Sequence, residues 1–368
     1  MNINEVIMYI IVFFLCLGGL DKCIGGKLGL AKEFEEGIHT MGTLAMSMIG
    51  IIVLAPVLAN VLSPVVVPLY KFLGADPSIF AGTLFACDMG GFALAKQIAI
   101  DPQAGLFAGT ILGSMMGITI VFTIPVGLNI IEKDDQPYLA TGVLSGMITI
   151  PIGCLVGGLV AKMPLMMLLK NLVPIVLFAV LVMVGLWLIP SKMIKGFTIF
   201  GKGVVIIAVI GLVLGAMDLL IGVRPIKGIT PVQEGISTVG DIALTLAGAF
   251  CMVKVITKIF NRPLMKLGAL LGINEVAAAG MVATLANNIP MFQMMKDMDK
   301  KGKVINVAFA VSAAFVFGDH LGFIAGVAKE VLFPVIVGKL VGGITAVFVA
   351  IFMANRMIAK EETASKMS

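Results

Sequence analysis

Long apolar runs, separated by short stretches that contain charge, glycine or proline, make up almost the whole of this 368-residue chain. A helix needs about 17–25 predominantly apolar residues to cross the hydrocarbon core of a bilayer. The pattern therefore predicts an all-α polytopic membrane protein with about eleven transmembrane segments, within a range of 10–12. The predicted segments lie near 6–20, 43–62, 79–95, 103–131, 138–161, 165–189, 203–221, 240–260, 276–292, 304–328 and 331–354.

Two of these segments, 79–95 and 276–292, are short and contain residues that disfavour a continuous helix. These residues are Asp88, Gly90 and Gly91 in the first segment and Asn287, Asn288 and Pro290 in the second. Irregular backbone at membrane depth is tolerated only where protein surrounds it or where it lines a water-filled cavity. We therefore predict that both segments are interrupted or re-entrant helices inside the protein.

The composition agrees with a membrane location, since 59% of the residues are hydrophobic and only 13% are charged. A soluble domain has about 45–50% apolar and about 25% charged residues, so that class is excluded. The net charge of +5 is distributed over short loops, which provides no basic surface for nucleic acid. The five cysteines form no CxxC pair and the chain has two histidines, so we predict no metal and no cofactor.

Motifs that indicate catalysis are absent from the sequence. It contains no HExxH, no GxSxG, no P-loop and no Rossmann glycine pattern, each of which positions groups for a particular chemistry. We therefore predict no catalytic residues and a protein that is not an enzyme. An intramembrane enzyme stays as the alternative from another functional class.

An internal repeat is the most informative feature of the chain. EGIHTMGTLAMSMIG (36–50) matches EGISTVGDIALTLAG (234–248) at an offset of 198, with seven of fifteen residues identical. We predict two repeats of about five segments, an arrangement that is common in secondary transporters, where the substrate site lies between the repeats. The predicted boundaries are 1–161 for the first repeat, 162–199 for a joining span, 200–358 for the second repeat and 359–368 for a short polar tail. If all five segments cross, both repeats have the same orientation.

Basic residues near the segment ends predict the orientation, because short cytoplasmic loops are enriched in Lys and Arg. More of them lie on the side opposite to the N-terminus, and the densest group is KDMDKKGK (296–303). We therefore predict that the N-terminus lies outside and the C-terminus in the cytoplasm. The lipid bilayer is one partner, and the sequence leaves open whether the chain forms a homo-oligomer.

Carboxylates inside the spans are the first candidates for function, because an ionised one near the bilayer centre costs at least about 2.5–3.5 kcal/mol. Asp88 lies in FACDMGGFALA (85–95) and Asp319 in FGDHLGFIAG (317–326). Acids, amides and aromatic rings together suit a small cation. The predicted binding residues are Asp88, Asp319, Asn287, Asn288, Phe92 and Phe323. A salt bridge between two helices is the alternative role for either aspartate.

His320 follows Asp319 directly and is a candidate proton relay, because imidazole titrates near neutral pH. A plain interhelical hydrogen bond is its alternative role. The residues expected to act as hinges or to free backbone groups are Gly90, Gly91, Gly318, Gly322 and Pro290. An anionic substrate would need basic residues within the spans, and the clearest internal cations, Lys170 and Lys254, lie outside both interrupted segments.

The two Asp-centred segments, the EGI-x-T-x-G segments and the number of spans resemble the ethanolamine permease family (EutH). The resemblance covers essentially the whole chain. It implies uptake of ethanolamine across the bacterial inner membrane, by alternating access, for breakdown by a cytosolic lyase in a bacterial microcompartment.

With ethanolamine as the substrate, we expect Asp88 and Asp319 to bind the ammonium group. Asn287 and Asn288 are expected to bind the hydroxyl group or the free backbone ends. Phe92 and Phe323 are expected to form the walls of the site. An ion-coupled transporter of another small polar metabolite, such as a nucleoside or a different amine, stays as the alternative.

Overall fold

The computed structural model describes residues 2–367, which form helices joined by turns and contain no strand. Within the helices, side chains are described except at positions 187, 190, 191, 194, 260–262, 264, 265, 267, 269 and 364–367. Eight helices in residues 2–367 are long and apolar enough to cross a membrane. The predicted class, an all-α polytopic membrane protein, is therefore confirmed.

We number the helices α1–α14 in chain order. The long helices are α1 (Ile3–Cys23), α2 (Ala31–Phe72), α5 (Pro102–Ile130), α6 (Gln136–Val160), α7 (Leu165–Leu188), α8 (Pro190–Ile221), α9 (Val232–Leu271) and α14 (Leu332–Met367). The short helices are α3 (Ser78–Leu84), α4 (Phe92–Ile98), α10 (Glu275–Ala286), α11 (Asn288–Met294), α12 (Lys300–Ala313) and α13 (Asp319–Val327). We call the side of the bundle where α1 begins the N-side and the opposite side the C-side.

Three predicted segments are not continuous helices. Segment 79–95 forms α3 and α4, and segment 276–292 forms α10 and α11, so both interruptions occur where they were predicted. Segment 304–328 is also broken, because non-helical residues 314–318 separate α12 from α13. That third break was not predicted, and the number of long continuous helices is accordingly smaller than the predicted number of segments.

The helices α3 and α4 form a hairpin that enters and leaves on the N-side. The Asp76 carboxylate, just before α3, accepts a hydrogen bond from the backbone N–H of Ser78 at 2.9 Å. Its second oxygen accepts from the N–H groups of Ile100 and Asp101, just after α4, at 3.0 and 2.9 Å. One carboxylate therefore joins the two ends of the hairpin, which makes this segment re-entrant.

The helices α10 and α11 form a second hairpin, whose ends meet on the C-side. The backbone N–H of Asn274, just before α10, donates to the Asp299 carboxylate at 2.8 Å. The Asn274 side chain also donates to the Asp297 carbonyl at 2.9 Å and accepts from the N–H of Ala277 at 2.9 Å, which caps α10. These residues match the first hairpin at an offset of 198, since Asn274 corresponds to Asp76 and Asp299 to Asp101.

The two repeat segments found in the sequence pack directly against each other. A Cβ on Gly37 of α2 would overlap the backbone of Ala247 in α9, and a Cβ on Gly235 of α9 would lie 3.0 Å from Ile49 in α2. The two helices are therefore antiparallel, and each of these contacts corresponds to the other at the offset of 198.

The neighbouring helices show the same reciprocity. Gly18 of α1 approaches Cys251 of α9, and Gly215 of α8, which corresponds to Gly18 at an offset of 197, approaches Val53 of α2. Helix α1 thus contacts α9 through the same surface by which α8 contacts α2. Glycine makes this close approach feasible, because small residues let helix backbones come near each other in a membrane.

We predict that Gly50→Ala lowers the stability of the purified protein in detergent, because a Cβ on Gly50 would overlap the carbonyl oxygen of Ala208 in α8. Overpacking of this kind typically costs about 1–3 kcal/mol. Gly42→Ala, on the same helix, is the matched control, since nothing lies within 4 Å of its Cβ position. Equal thermal unfolding midpoints for the two variants would contradict this packing.

Candidate functional site

Asp88 lies at the tip of the first hairpin, deep in the bundle. The chain is extended at Phe85 and Ala86, forms one irregular turn over Cys87–Gly91 and then enters α4. Gly90 has a φ of 90° in this turn, a backbone conformation that glycine adopts without steric cost. The turn holds the Asp88 side chain with only 12% of its surface exposed.

Asp319 begins α13, directly after the break in the second half. The turn residues that precede it bind the second hairpin, since the N–H groups of Phe315 and Phe317 donate to the carbonyls of Thr284 and Leu285 at 3.1 and 2.9 Å. Gly318 packs so tightly on the Ala286 carbonyl that a Cβ would overlap it. The tip of the second hairpin thereby fixes the start of α13.

His320 meets Asp88 between the two halves. Its Nε2 lies 3.9 Å from Oδ1 of Asp88, and the histidine is only 1% exposed. Neither imidazole nitrogen has a hydrogen-bond partner among the described residues, and Oδ1 of Asp88 also lacks one. Buried polar atoms are rarely left unpaired, and each such exception calls for an explanation such as a bound ligand.

Cys87, Asp88 and His320 also form the one described group that could hold a metal ion, since their candidate ligand atoms lie within 4.8 Å of one another. Lys339 lies beside the same hairpin tip, since its ammonium group donates to the carbonyl of Ser114 and the neighbouring Gly113 packs on Cys87.

Two cavities approach this layer from opposite sides. The C-side cavity has a volume of about 690 Å³, and the N-side cavity a volume of about 360 Å³. Polar residues of the C-side cavity are Lys32, Glu33, Glu36, Thr40, Lys254, Asn287 and Asp319. Residues of the N-side cavity include Cys87, Phe92, Lys96, Glu234, Thr238 and Phe323. One copy of the repeat segment lines each cavity, through Glu36 and Thr40 on one side and Glu234 and Thr238 on the other.

The cavities come within about one helical turn of each other. On α13, Asp319 lines the C-side cavity and Phe323 the N-side cavity. On α2, Leu44 lines the C-side cavity and Met48 the N-side cavity. Four residues of helix span about 6 Å, so the barrier between the cavities is thin. His320, one residue after Asp319, belongs to this barrier together with its neighbour Asp88.

The structure brings most of the predicted binding residues to this region. Phe92 and Phe323 stack edge to face with ring centroids 6.0 Å apart in the N-side cavity. Asn287 lines the C-side cavity, while its Oδ1 accepts from the N–H of Ile289 at 2.8 Å and caps α11. Asn288 is fully buried, donates to Thr123 at 3.2 Å and lines neither cavity.

The predicted hinge residues lie at the ends of the short helices. Gly90 and Gly91 form the first hairpin tip, and Gly318 precedes α13. Gly322 packs on the Leu246 side chain of α9 without room for a Cβ. Pro290 lies in the first turn of α11. The glycines therefore lie at points of close backbone approach.

Sequence reasoning missed Lys339. This residue is 1% exposed in α14, and its ammonium group donates to the backbone carbonyl of Ser114 in α5. The available signal was a lysine in the middle of the apolar run 331–354, since a charge at that depth is by default a candidate functional residue.

A charged layer between two opposed cavities, in a bundle of apolar helices, is the architecture of a membrane transporter. The family described as "Ethanolamine utilisation protein, EutH" matches residues 3–353, and the chain belongs to this family. No solved structure matches the chain significantly.

Relatives share the full length of the chain. A "Probable ethanolamine permease EutH" of Listeria monocytogenes is 69% identical, over 100% of this chain and 99% of the relative. A protein of the same name in Salmonella typhimurium is 50% identical over 97% of both chains. The "Uncharacterized protein YxeR" of Bacillus subtilis is 51% identical over 98% of both. The predicted family, and a transporter rather than an enzyme, are thereby confirmed.

We predict that equivalent positions of the two cavities are reached from opposite sides of the membrane. In a protein whose five cysteines are replaced by alanine, Thr40→Cys should react with a membrane-impermeant maleimide from the C-side only, and Thr238→Cys from the N-side only. Labelling in vesicles of known orientation measures this. Thr110→Cys is the control without reaction, because Thr110 is fully buried. Labelling of both cavity positions from one side would contradict the arrangement.

Proposed function

We propose that this protein imports ethanolamine, as the protonated amine, across the bacterial inner membrane by alternating access. The observation that carries the proposal is the thin layer around Asp88, His320 and Asp319, which separates two cavities on opposite sides. The names of the curated relatives support ethanolamine as the substrate.

Ethanolamine carries one ammonium group near pH 7, because a primary alkyl amine resembles that of lysine. Asp88 and Asp319 supply the opposite charge, and Oδ1 of Asp88 is buried without a hydrogen-bond partner among the described residues. Asn287 keeps its amide N–H₂ available on the C-side cavity, because its oxygen is the atom that caps α11. That amide group donates to the substrate hydroxyl, while Phe92 and Phe323 form the apolar wall on the other side.

Asn288 has a different role in the proposal. Its side chain donates to Thr123 across the interface between α11 and α5. This hydrogen bond holds the second hairpin in place, while Oδ1 of Asn288 has no hydrogen-bond partner among the described residues. Asn288 is proposed to position the tip, because it is fully buried and lines neither cavity. His320 contacts Asp88 and is the group that relays a proton, if transport is coupled to one.

The two halves, 1–161 and 200–358, are proposed to form an inverted repeat around the joining helix α7. The reciprocal contacts of α2 with α9 support this, as do the two hairpins that enter from opposite sides. The two repeats would have the same orientation only if all five segments of each repeat crossed the membrane. Because one segment of each repeat forms a hairpin that re-enters, this condition is not met. Alternating access then follows when the two halves exchange conformations, which closes one cavity and opens the other.

The N-side is proposed to face outwards, with the C-terminus in the cytoplasm. Basic residues near the C-side ends are Lys22, Lys27, Lys32, Lys133, Lys192, Lys195, Lys296, Lys300, Lys301 and Lys303. Those near the N-side ends are Lys71, Lys96, Lys162, Arg224, Lys227 and Lys329. The excess on the C-side supports a cytoplasmic location for it.

The test is uptake of labelled ethanolamine into proteoliposomes with a potassium diffusion potential, negative inside, at pH 6 and pH 8 without a pH gradient. One charge moving through 100 mV gains about 2.3 kcal/mol, enough for roughly fifty-fold accumulation. We expect accumulation that follows the potential. Absence of uptake by folded protein under any gradient would contradict the proposed function. Uptake of a labelled nucleoside or of a different labelled amine by the same protein would then point to the alternative substrate.

We predict that Asp88→Asn reduces this uptake to the level of protein-free liposomes, because the amide lacks the charge that binds the ammonium group. Asp134→Asn is the matched control, since Asp134 is exposed in the loop before α6, and its uptake should equal that of the wild type. Unfolding midpoints in detergent establish that both variants fold. Wild-type uptake by Asp88→Asn would rule out Asp88 as the charge site.

A further inference from the structure

Lys339 is a buried lysine seven residues after the start of the membrane-spanning helix α14. Gly338 and Gly342 on either side of it pack against Gly153 and Gly157 of α6, and the lysine is only 1% exposed. A cation at this depth is costly and is normally paired or functional. The carbonyl of Ser114 accepts its hydrogen bond but supplies no opposite charge.

The hairpin tip that carries Asp88 lies beside this lysine. The Ser114 carbonyl that binds the lysine lies next to Gly113, whose Cβ position is 3.2 Å from the backbone nitrogen of Cys87. Asp88 follows Cys87 at the hairpin tip, so the contacts of Ser114 and Gly113 place the lysine and this carboxylate in the same region of the bundle. No salt bridge within 4.0 Å joins Lys339 to an acid in the described residues, so the Asp88 carboxylate stays available to a ligand.

The charges around the barrier leave one negative unit. Asp88 and Lys339 balance each other, and in the C-side cavity Lys254 pairs with Glu33. Asp319 is the remaining charge. The other charged residues of the two cavities, Lys32, Glu36, Lys96, Glu234 and Asp241, are exposed, so water and salt weaken their effect.

We propose that Lys339 is a built-in counter-cation, which sets the charge of the site to one negative unit and thereby selects singly charged amines over diamines. This inference rests on the proposed function and adds the rule by which the site chooses among amines. A monoamine neutralises the site completely. A diamine of similar size brings one charge too many, and that charge meets the Lys339 ammonium in a medium of low dielectric constant.

The test compares 3-amino-1-propanol with 1,3-diaminopropane, which differ only in the terminal group, as competitors of labelled ethanolamine for binding to the purified protein. Wild-type protein should prefer the monoamine by about tenfold or more. In Lys339→Met the preference should vanish or reverse, because two acids then face the ligand without a counter-cation. Lys339→Arg, which retains the charge, should keep the wild-type preference.

Lys170→Met is the matched control, because this lysine is exposed at the start of α7, and it should behave as the wild type. A structural role for Lys339 would weaken binding of both amines equally and would overturn the proposal. Absence of discrimination in the wild type would overturn it too, and this measurement decides the question if Lys339→Met does not fold. Failure of wild-type protein to bind ethanolamine would instead count against the proposed function.

Discussion

The burial of charge inside a bilayer is the constraint on which the centre of this protein depends. An ion at this depth loses its hydration and must be given charges or dipoles in exchange. The backbone dipoles of the hairpin tip stabilise Asp88. Lys339 on α14 supplies a positive charge nearby without forming a salt bridge to it. The carboxylate is thereby tolerated and still open to a ligand.

The hairpins explain how a bundle of helices can present such a site from both sides. A continuous helix satisfies its own backbone groups and leaves few for a ligand. A helix that turns back halfway ends at membrane depth, and the space beyond its tip can fill with water. Because one hairpin enters from each side and glycines let α2 and α9 cross closely, the two cavities meet near the same layer.

Sequence reasoning reached the features that leave a local signal. Asp88 with two glycines, and Asn287 and Asn288 with Pro290, marked both interruptions correctly. The break before Asp319 was missed because AFVFG (314–318) contains no proline and has the apolarity of an ordinary span. Its cause is tertiary, since the second hairpin pairs with this stretch and holds Phe315 at a φ of 63°.

Side-chain roles that depend on packing were equally beyond the sequence. Asn288 has the residue type of a ligand-binding amide, but its burial against Thr123 is decided by how α11 meets α5. Lys339 was visible as a charge in an apolar run, yet its relation to Asp88 arises from residues more than 200 positions away in the chain. A lysine inside an apolar span is therefore as strong a signal of function as an aspartate.

An experimental structure of the protein with ethanolamine bound tests the central claim most directly. The account predicts the amine nitrogen in the layer between the two cavities, within about 3.2 Å of the Asp88 carboxylate, with the aliphatic carbons towards the phenylalanines. Ethanolamine bound elsewhere, with Asp88 paired only to groups of the protein, would contradict the account.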